Sequence, residues 1–309
     1  MTDSVLIGIR FALYADLMLL AGLAAFPFHA FRRGERQDPQ IMEALFAPQF
    51  WLASLGLIAS LIGMVALTAS MQGVGFFAVD PAMLVMLVEE TDVGAAWIVR
   101  IAALGTALAA ASQLGRRPAA AAATIVIAGS AALATLAWAG HAGASEGLTG
   151  AIHRLADALH MIAAALWFGA IAAFLILLRP GDGIAEERLA LTARSLNRFA
   201  RTGTVCVLLI AATGLINAQI IVGANNIGRA LASPYGQLLA IKLLFFALML
   251  ALAAANRWRL TPALSSALVE GDPAAALRAM RRSLAIEILA ATGILGLVAW
   301  LGMLEPLPV

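Results

Sequence analysis

Apolar positions in this chain fall into long unbroken runs rather than the alternation of a half-buried strand. The runs lie near residues 4–28, 48–71, 94–115, 119–140, 151–178, 203–223, 235–257 and 283–303. Each reaches about 20 residues or more, the length a ~30 Å hydrocarbon core demands of a helix. The pattern predicts an all-α, polytopic transmembrane bundle of about eight spanning helices, in which each helix satisfies its own backbone polar groups. No connection between runs leaves room for a separate soluble domain, so residues 1–309 read as a single integral membrane domain. The first run lacks a basic leader and a small-residue cleavage site and reads as a retained span.

Polar residues between the runs give this bundle a direction. Arg32, Arg33 and Arg36 follow the first run, and Arg116 and Arg117 the third. The stretch from Arg179 to Arg201 follows the fifth, and that from Arg257 to Arg282 the seventh. The opposite connections carry Arg229 and the acidic group Asp80, Glu89, Glu90 and Asp92, with Arg154 at a helix mouth. Arginine excess marks the cytoplasmic side, so both termini are expected to be periplasmic. Among the arginines of the fifth connection, Leu189, Leu196 and Phe199 recur at roughly helical spacing. That segment fits either an amphipathic helix along the membrane surface or a solvated linker.

Composition agrees with the pattern. Charged residues make up 12% of the chain, about half the ~25% usual in soluble domains. The basic pI of about 9.2 comes from arginines confined to alternate loops, with no aromatic-interleaved basic patch. It therefore argues for topology control and against nucleic acid as a partner. Cys206 is the single cysteine and lies inside an apolar run, which excludes an intramolecular disulfide.

Candidate chemistry sits where polarity is costly, because an ionisable side chain in hydrocarbon needs a partner or a task. Three of the four histidines, His141, His153 and His160, fall at the outer mouth of the fourth and fifth runs, within the histidine-bearing segment 140–178. At 100° per residue, His153, Asp157 and His160 form one stripe, which Trp167 continues inward. His153 and His160 are about 10 Å apart along a helix axis, too far to share one ion through bonds of about 2 Å. The spacing favours an outer set of His141, Glu146 and His153 and a deeper pair of Asp157 and His160. Asp157 would bridge them or orient an imidazole.

An intramembrane histidine can equally serve as an interhelical hydrogen-bonding group. Three histidines with two carboxylates on one side of the membrane favour a metal or cofactor site. Met71, Met83, Met86 and Met303 map to the same side and offer thioether sulfur, and Met83 and Met86 are spaced i,i+3. Arg10, Arg100 and Lys242 lie one to two turns inside the outer boundary, where they could neutralise Asp16 or Asp157 or hold an anionic group. Asp16 and Glu287 are further embedded carboxylates, for which an ion pair or a capping role is the simple reading. Asn217 and Gln219 could face the same cavity, and His29 marks the inner end of the first run.

At these residues the chain resembles the CopD/PcoD family of bacterial copper-resistance membrane proteins. The resemblance rests on GHAG at 140–143, on the run of His153, Asp157 and His160, and on the W-x-G of Trp167 and Gly169. The number of spans and the approach to the first one, with Arg10 and Tyr14, agree. The resemblance implies an inner-membrane protein that moves periplasmic copper inward with a small CopC-like copper carrier. No segment here resembles that carrier, so it would be a separate protein. It also implies His141, His153, Asp157 and His160 as ligands or relay groups for copper.

No GxxxxGK[ST] motif occurs, so such transport would be passive or gradient-driven. A b-type haem protein, with two axial histidines and Arg10, Arg100 or Lys242 on the propionates, is the alternative. A metal-dependent hydrolase finds no HExxH or nucleophile constellation in support, and the chain reads as a non-enzyme. An assembly factor would need the same ligands but no path through the inner half.

Overall fold

Proline and short polar side chains decide where the helices begin. Asp38 accepts from the backbone N–H of Gln40 and Ile41, and Pro39 opens α2 (Pro39–Phe46), which leads into α3 (Gln49–Gln72). Asp80 with Pro81 starts α4 (Pro81–Glu90) in the same way, and Thr91 caps α5 (Asp92–Ala111). Pro118 opens α6 (Pro118–Ala134). Ser233 with Pro234 opens α10 (Pro234–Ala255). Pro39, Pro81, Pro118 and Pro234 each occupy a position whose N–H would lack an intrahelical partner anyway. Gly73 ends α3 in the left-handed region at φ 67°, which glycine adopts without steric cost.

The computed structural model describes residues 2–179 and 186–306. Its remaining helices are α1 (Thr2–Ala30), α7 (Gly147–Leu177), α8 (Glu186–Ile221), α9 (Ile227–Ala232), α11 (Thr261–Glu270) and α12 (Ala274–Leu301). The described residues contain no strand. Eight segments are long and apolar enough to cross a bilayer: Ser4–Ala30, Pro39–Gln72, Asp92–Ala111, Pro118–Ala139, Gly147–Leu177, Glu187–Ile221, Pro234–Glu270 and Ala274–Leu301. An even number of crossings returns the chain to the side on which it began.

α1 is the hub, packed by α3, α6, α7 and α12. Its crossing with α7 is set by two glycines. A Cβ on Gly22 would lie 2.1 Å from the Ala165 carbonyl oxygen, and one on Gly169 would lie 2.3 Å from the Gly22 carbonyl carbon. Helices in lipid approach closely where small residues face each other. The glycine of the W-x-G element thus fixes the distance between α1 and the histidine-bearing helix.

The fifth connection is helical rather than a linker. Residues 186–201 are the first turns of α8, continuous to Ile221. No proline interrupts 186–221, and Leu189 and Leu196 are buried in the core of the bundle. Phe199 packs edge-on against Phe174, their ring centres 5.8 Å apart. The seventh connection is likewise helical. A π-helical turn (Asn256–Leu260) joins α10 to α11.

A histidine-lined cavity at the helix mouths

α6 stops short of the end of its span. It passes into a 3₁₀ turn (Thr135–Ala139), an extended Gly140 and a second 3₁₀ turn (His141–Ala144). Arg100 anchors the first turn by donating from Nε to the Thr135 hydroxyl at 2.8 Å, and that hydroxyl donates to the Ala132 carbonyl. Gly143 is required because a Cβ there would lie 2.2 Å from the Trp138 carbonyl oxygen. The GHAG element is therefore a tight double turn that swings His141 back over the bundle. Arg10 of α1 donates to the Ala139 carbonyl at 2.9 Å and fixes the turn from below.

The turns, α1, α7, α8, α10 and α12 enclose a cavity of about 180 Å³ that collects His141, His153, Asp157 and His160. Each imidazole uses one ring nitrogen on a protein group. His141 Nε2 lies 3.1 Å from the Leu301 carbonyl oxygen. His153 Nδ1 lies 3.0 Å from the Ser145 hydroxyl, and His160 Nδ1 lies 3.0 Å from the Thr213 hydroxyl.

Two of these contacts fix the tautomer. A carbonyl only accepts, so His141 carries its proton on Nε2 and keeps the lone pair on Nδ1. Thr213 already donates its one hydroxyl hydrogen to the Leu209 carbonyl, so it accepts from His160 Nδ1–H and leaves the Nε2 lone pair unused. A metal-binding imidazole needs this arrangement, one nitrogen held by an outer partner and the other left as a donor.

Asp157 Oδ1 accepts from Asn217 of α8 at 3.2 Å rather than from an imidazole. The hydroxyls and the Leu301 carbonyl orient the rings in its place. Glu146 stands apart: it is exposed, precedes α7 without capping it through its side chain, and does not line the cavity. Gly147, at φ 60°, turns the chain between Glu146 and the helix. The expected outer set of His141, Glu146 and His153 is therefore brought together only as its two histidines. Among the described residues, no three His, Cys, Asp or Glu side chains converge as a ready-made metal cage.

Of the embedded cations, Arg10 and Lys242 line the cavity, whereas Arg100 is held by Thr135. Asp16 faces Gly56 of α3 instead, both its oxygens without a hydrogen-bond partner among the described residues. Gln219 sits on a separate outer groove with Thr149 and Ile152. Met71 and Met86 are exposed, and neither they nor Met83 and Met303 line the cavity. Met18 and Met161 do, both buried. They went unremarked in the sequence, as did Ser145, Thr213 and Tyr235, whose ring meets His141 edge-on at 5.7 Å. At the inner end, His29 packs against Phe26 and Phe199, with neither ring nitrogen hydrogen-bonded among the described residues.

A second cavity of about 380 Å³ lies beneath the first and shares Met18, His160 and Lys242 with it. Its other walls are largely apolar, with Trp167 at its far side.

An eight-span helical bundle with imidazoles, thioethers and a carboxylate around one small cavity defines the class as a multi-pass helical membrane protein. The chain belongs to the copper resistance protein D family. The family description "Copper resistance protein D-like, N-terminal domain" matches residues 1–151, and "Copper resistance protein D" matches residues 193–301. Neither stretch includes the part of α7 that carries His153, Asp157 and His160.

One relative that does span this part is Copper resistance protein D of Pseudomonas syringae pv. tomato. It is 40% identical over 99% of this chain and 98% of its own length. Inner membrane protein YebZ of Escherichia coli K12 is 28% identical over 83% of this chain and 84% of its own. No solved structure matches. The protein is thus a copper-related, multi-pass protein of the bacterial inner membrane.

Proposed function

We propose that this protein carries copper ions from the periplasm toward the cytoplasm, taking them up at the histidine cavity. The observation that carries the reading is the common setting of the three imidazoles. His141, His153 and His160 all line one cavity, and each is held through one nitrogen by a carbonyl or hydroxyl, with the Ile210 backbone also bonded to His160. Imidazole nitrogen with the thioethers of Met18 and Met161 is a donor set suited to copper.

The ion docks between His141 and His153, passes to Asp157 and His160, and leaves through the cavity beneath. Glu146, exposed at the mouth, is at most a first contact. The arginine-rich connections on the far side support a periplasmic side for the termini and for the histidine cavity, by the excess of Lys and Arg usual on the cytoplasmic face. A soluble CopC-like carrier delivers copper there, and no chemical conversion is required. The cavity walled by the three histidines is smaller than the ~300–1,000 Å³ usual for organic cofactors, which favours an ion over haem.

Copper accumulation in cells expressing wild type or His160→Ala tests the reading. Loss of accumulation in the variant at equal expression is expected. Equal uptake would remove His160 from the route.

A further inference from the structure

Glu287 lies in the inner half of the bundle, on α12, and is only 2% exposed. Both its oxygens are fixed by uncharged donors. Trp167 Nε1–H donates to Oε1 at 3.1 Å, and Asn256 Nδ2–H donates to Oε2 at 2.9 Å. Among the described residues no Lys, Arg or His forms an ion pair with it. Arg257 is the other charged group on the cavity beside it; that arginine is exposed and donates to the Thr204 hydroxyl at 2.7 Å. A buried charge held without an opposite charge costs several kcal/mol, so the carboxyl here is neutralised either by a proton or by a visiting cation that displaces it.

The surroundings are rich in unused oxygen. Asn256 directs its amide N–H groups to Glu287 and leaves Oδ1 buried without a partner. Ser283, one helical turn before Glu287, leaves its buried hydroxyl in the same condition. Asn256 is also the first residue of the π-helical turn, and such turns in α-helices recur at functional sites.

Position connects this group to the histidines. Glu287 and Asn256 line a third cavity, of about 350 Å³, which shares Trp167 with the middle one. His160 thus stands between the outer and middle cavities, and Trp167 between the middle and inner ones. The indole partition is itself hydrogen-bonded to Glu287.

We propose that Glu287, with Asn256 Oδ1, forms a second copper station on the inner side of Trp167 that receives the ion released from His160. The proposal rests on the copper route above. Its donors are oxygens, weaker for copper than the imidazoles and thioethers outside. A conducting site must hold an ion weakly enough to let it leave. A cation on Oε1 competes with the Trp167 N–H for the same oxygen, so occupancy loosens the partition.

The test measures equilibrium copper binding and copper uptake into proteoliposomes, for wild type, Glu287→Gln, Glu287→Asp and Asn256→Ala. Glu287→Gln is expected to keep the copper lost by His153→Ala/His160→Ala, while its uptake rate falls about tenfold or more. Glu287→Asp restores most of the rate, and Asn256→Ala, which leaves the carboxylate in place, slows uptake in the same direction. Wild-type uptake in Glu287→Gln overturns the station. So does loss of the histidine-dependent copper in that variant, or failure of Glu287→Asp to recover any rate, because both mark a structural role. Should Glu287→Gln misfold, an unchanged rate in Asn256→Ala overturns it. A wild type that binds copper but takes none up removes the route and the station yet keeps the outer site. A wild type that binds no copper removes the functional reading itself.

Discussion

Thr213→Val replaces the hydroxyl that holds His160 with a methyl group of nearly the same volume. The hydroxyl accepts from His160 Nδ1–H at 3.0 Å and donates to the Leu209 carbonyl. Without it the imidazole N–H loses its acceptor, and leaving a buried polar group unpaired costs about 1–3 kcal/mol. The ring can recover by rotating or by moving its proton to Nε2, and either response removes the lone pair aimed at the cavity. Outer partners of metal-binding histidines typically contribute 10–100-fold in affinity, so copper should bind about 10–100-fold more weakly. That corresponds to about 1.4–2.7 kcal/mol. Competition with a chromophoric copper chelator on purified protein reads this directly, and Thr213→Ser should return most of the affinity. Wild-type affinity in Thr213→Val, alongside lost affinity in His160→Ala, would refute the tautomer argument.

Glu146→Gln should leave copper affinity within about twofold of wild type in the same competition assay, because an exposed carboxylate outside the cavity contributes little once screened by solvent. Gly169→Leu should destabilise the protein, since even a Cβ would overlap the Gly22 backbone; overpacking of this kind costs roughly 1–3 kcal/mol or more, visible as a lower Tm in a detergent thermal-shift assay. Arg100→Leu should loosen the turn that carries His141, by removing the bond to Thr135. Faster amide hydrogen exchange over residues 135–144 checks it, with residues 153–160 as the unaffected control.

The spans were legible because apolar length is a property of each run by itself. The stripe of His153, Asp157 and His160 was legible for a related reason: all three lie on one helix, where spacing fixes their relative direction. What meets the stripe was not. Thr213, Tyr235 and Met18 come from other helices, and the rotation of those helices about their own axes depends on packing such as the Gly22–Gly169 crossing. Glu146, which does not line the cavity, shows the converse. It is close to His153 in sequence, but a positive-φ glycine turns the chain between them. That residues 186–201 continue into α8 and pack into the bundle was not legible, because leucines among arginines look amphipathic whether they face lipid headgroups or other helices. Glu287 was visible as an embedded carboxylate, yet its Trp167 and Asn256 partners lie 120 and 31 residues away.

Metal analysis with an absorption spectrum, on purified wild type beside His153→Ala/His160→Ala, tests the histidine cavity most directly. Bound copper without a Soret band, lost in the double variant, is the predicted result. A Soret band in the wild type, or the same copper content in both proteins, would contradict a copper site built on these histidines.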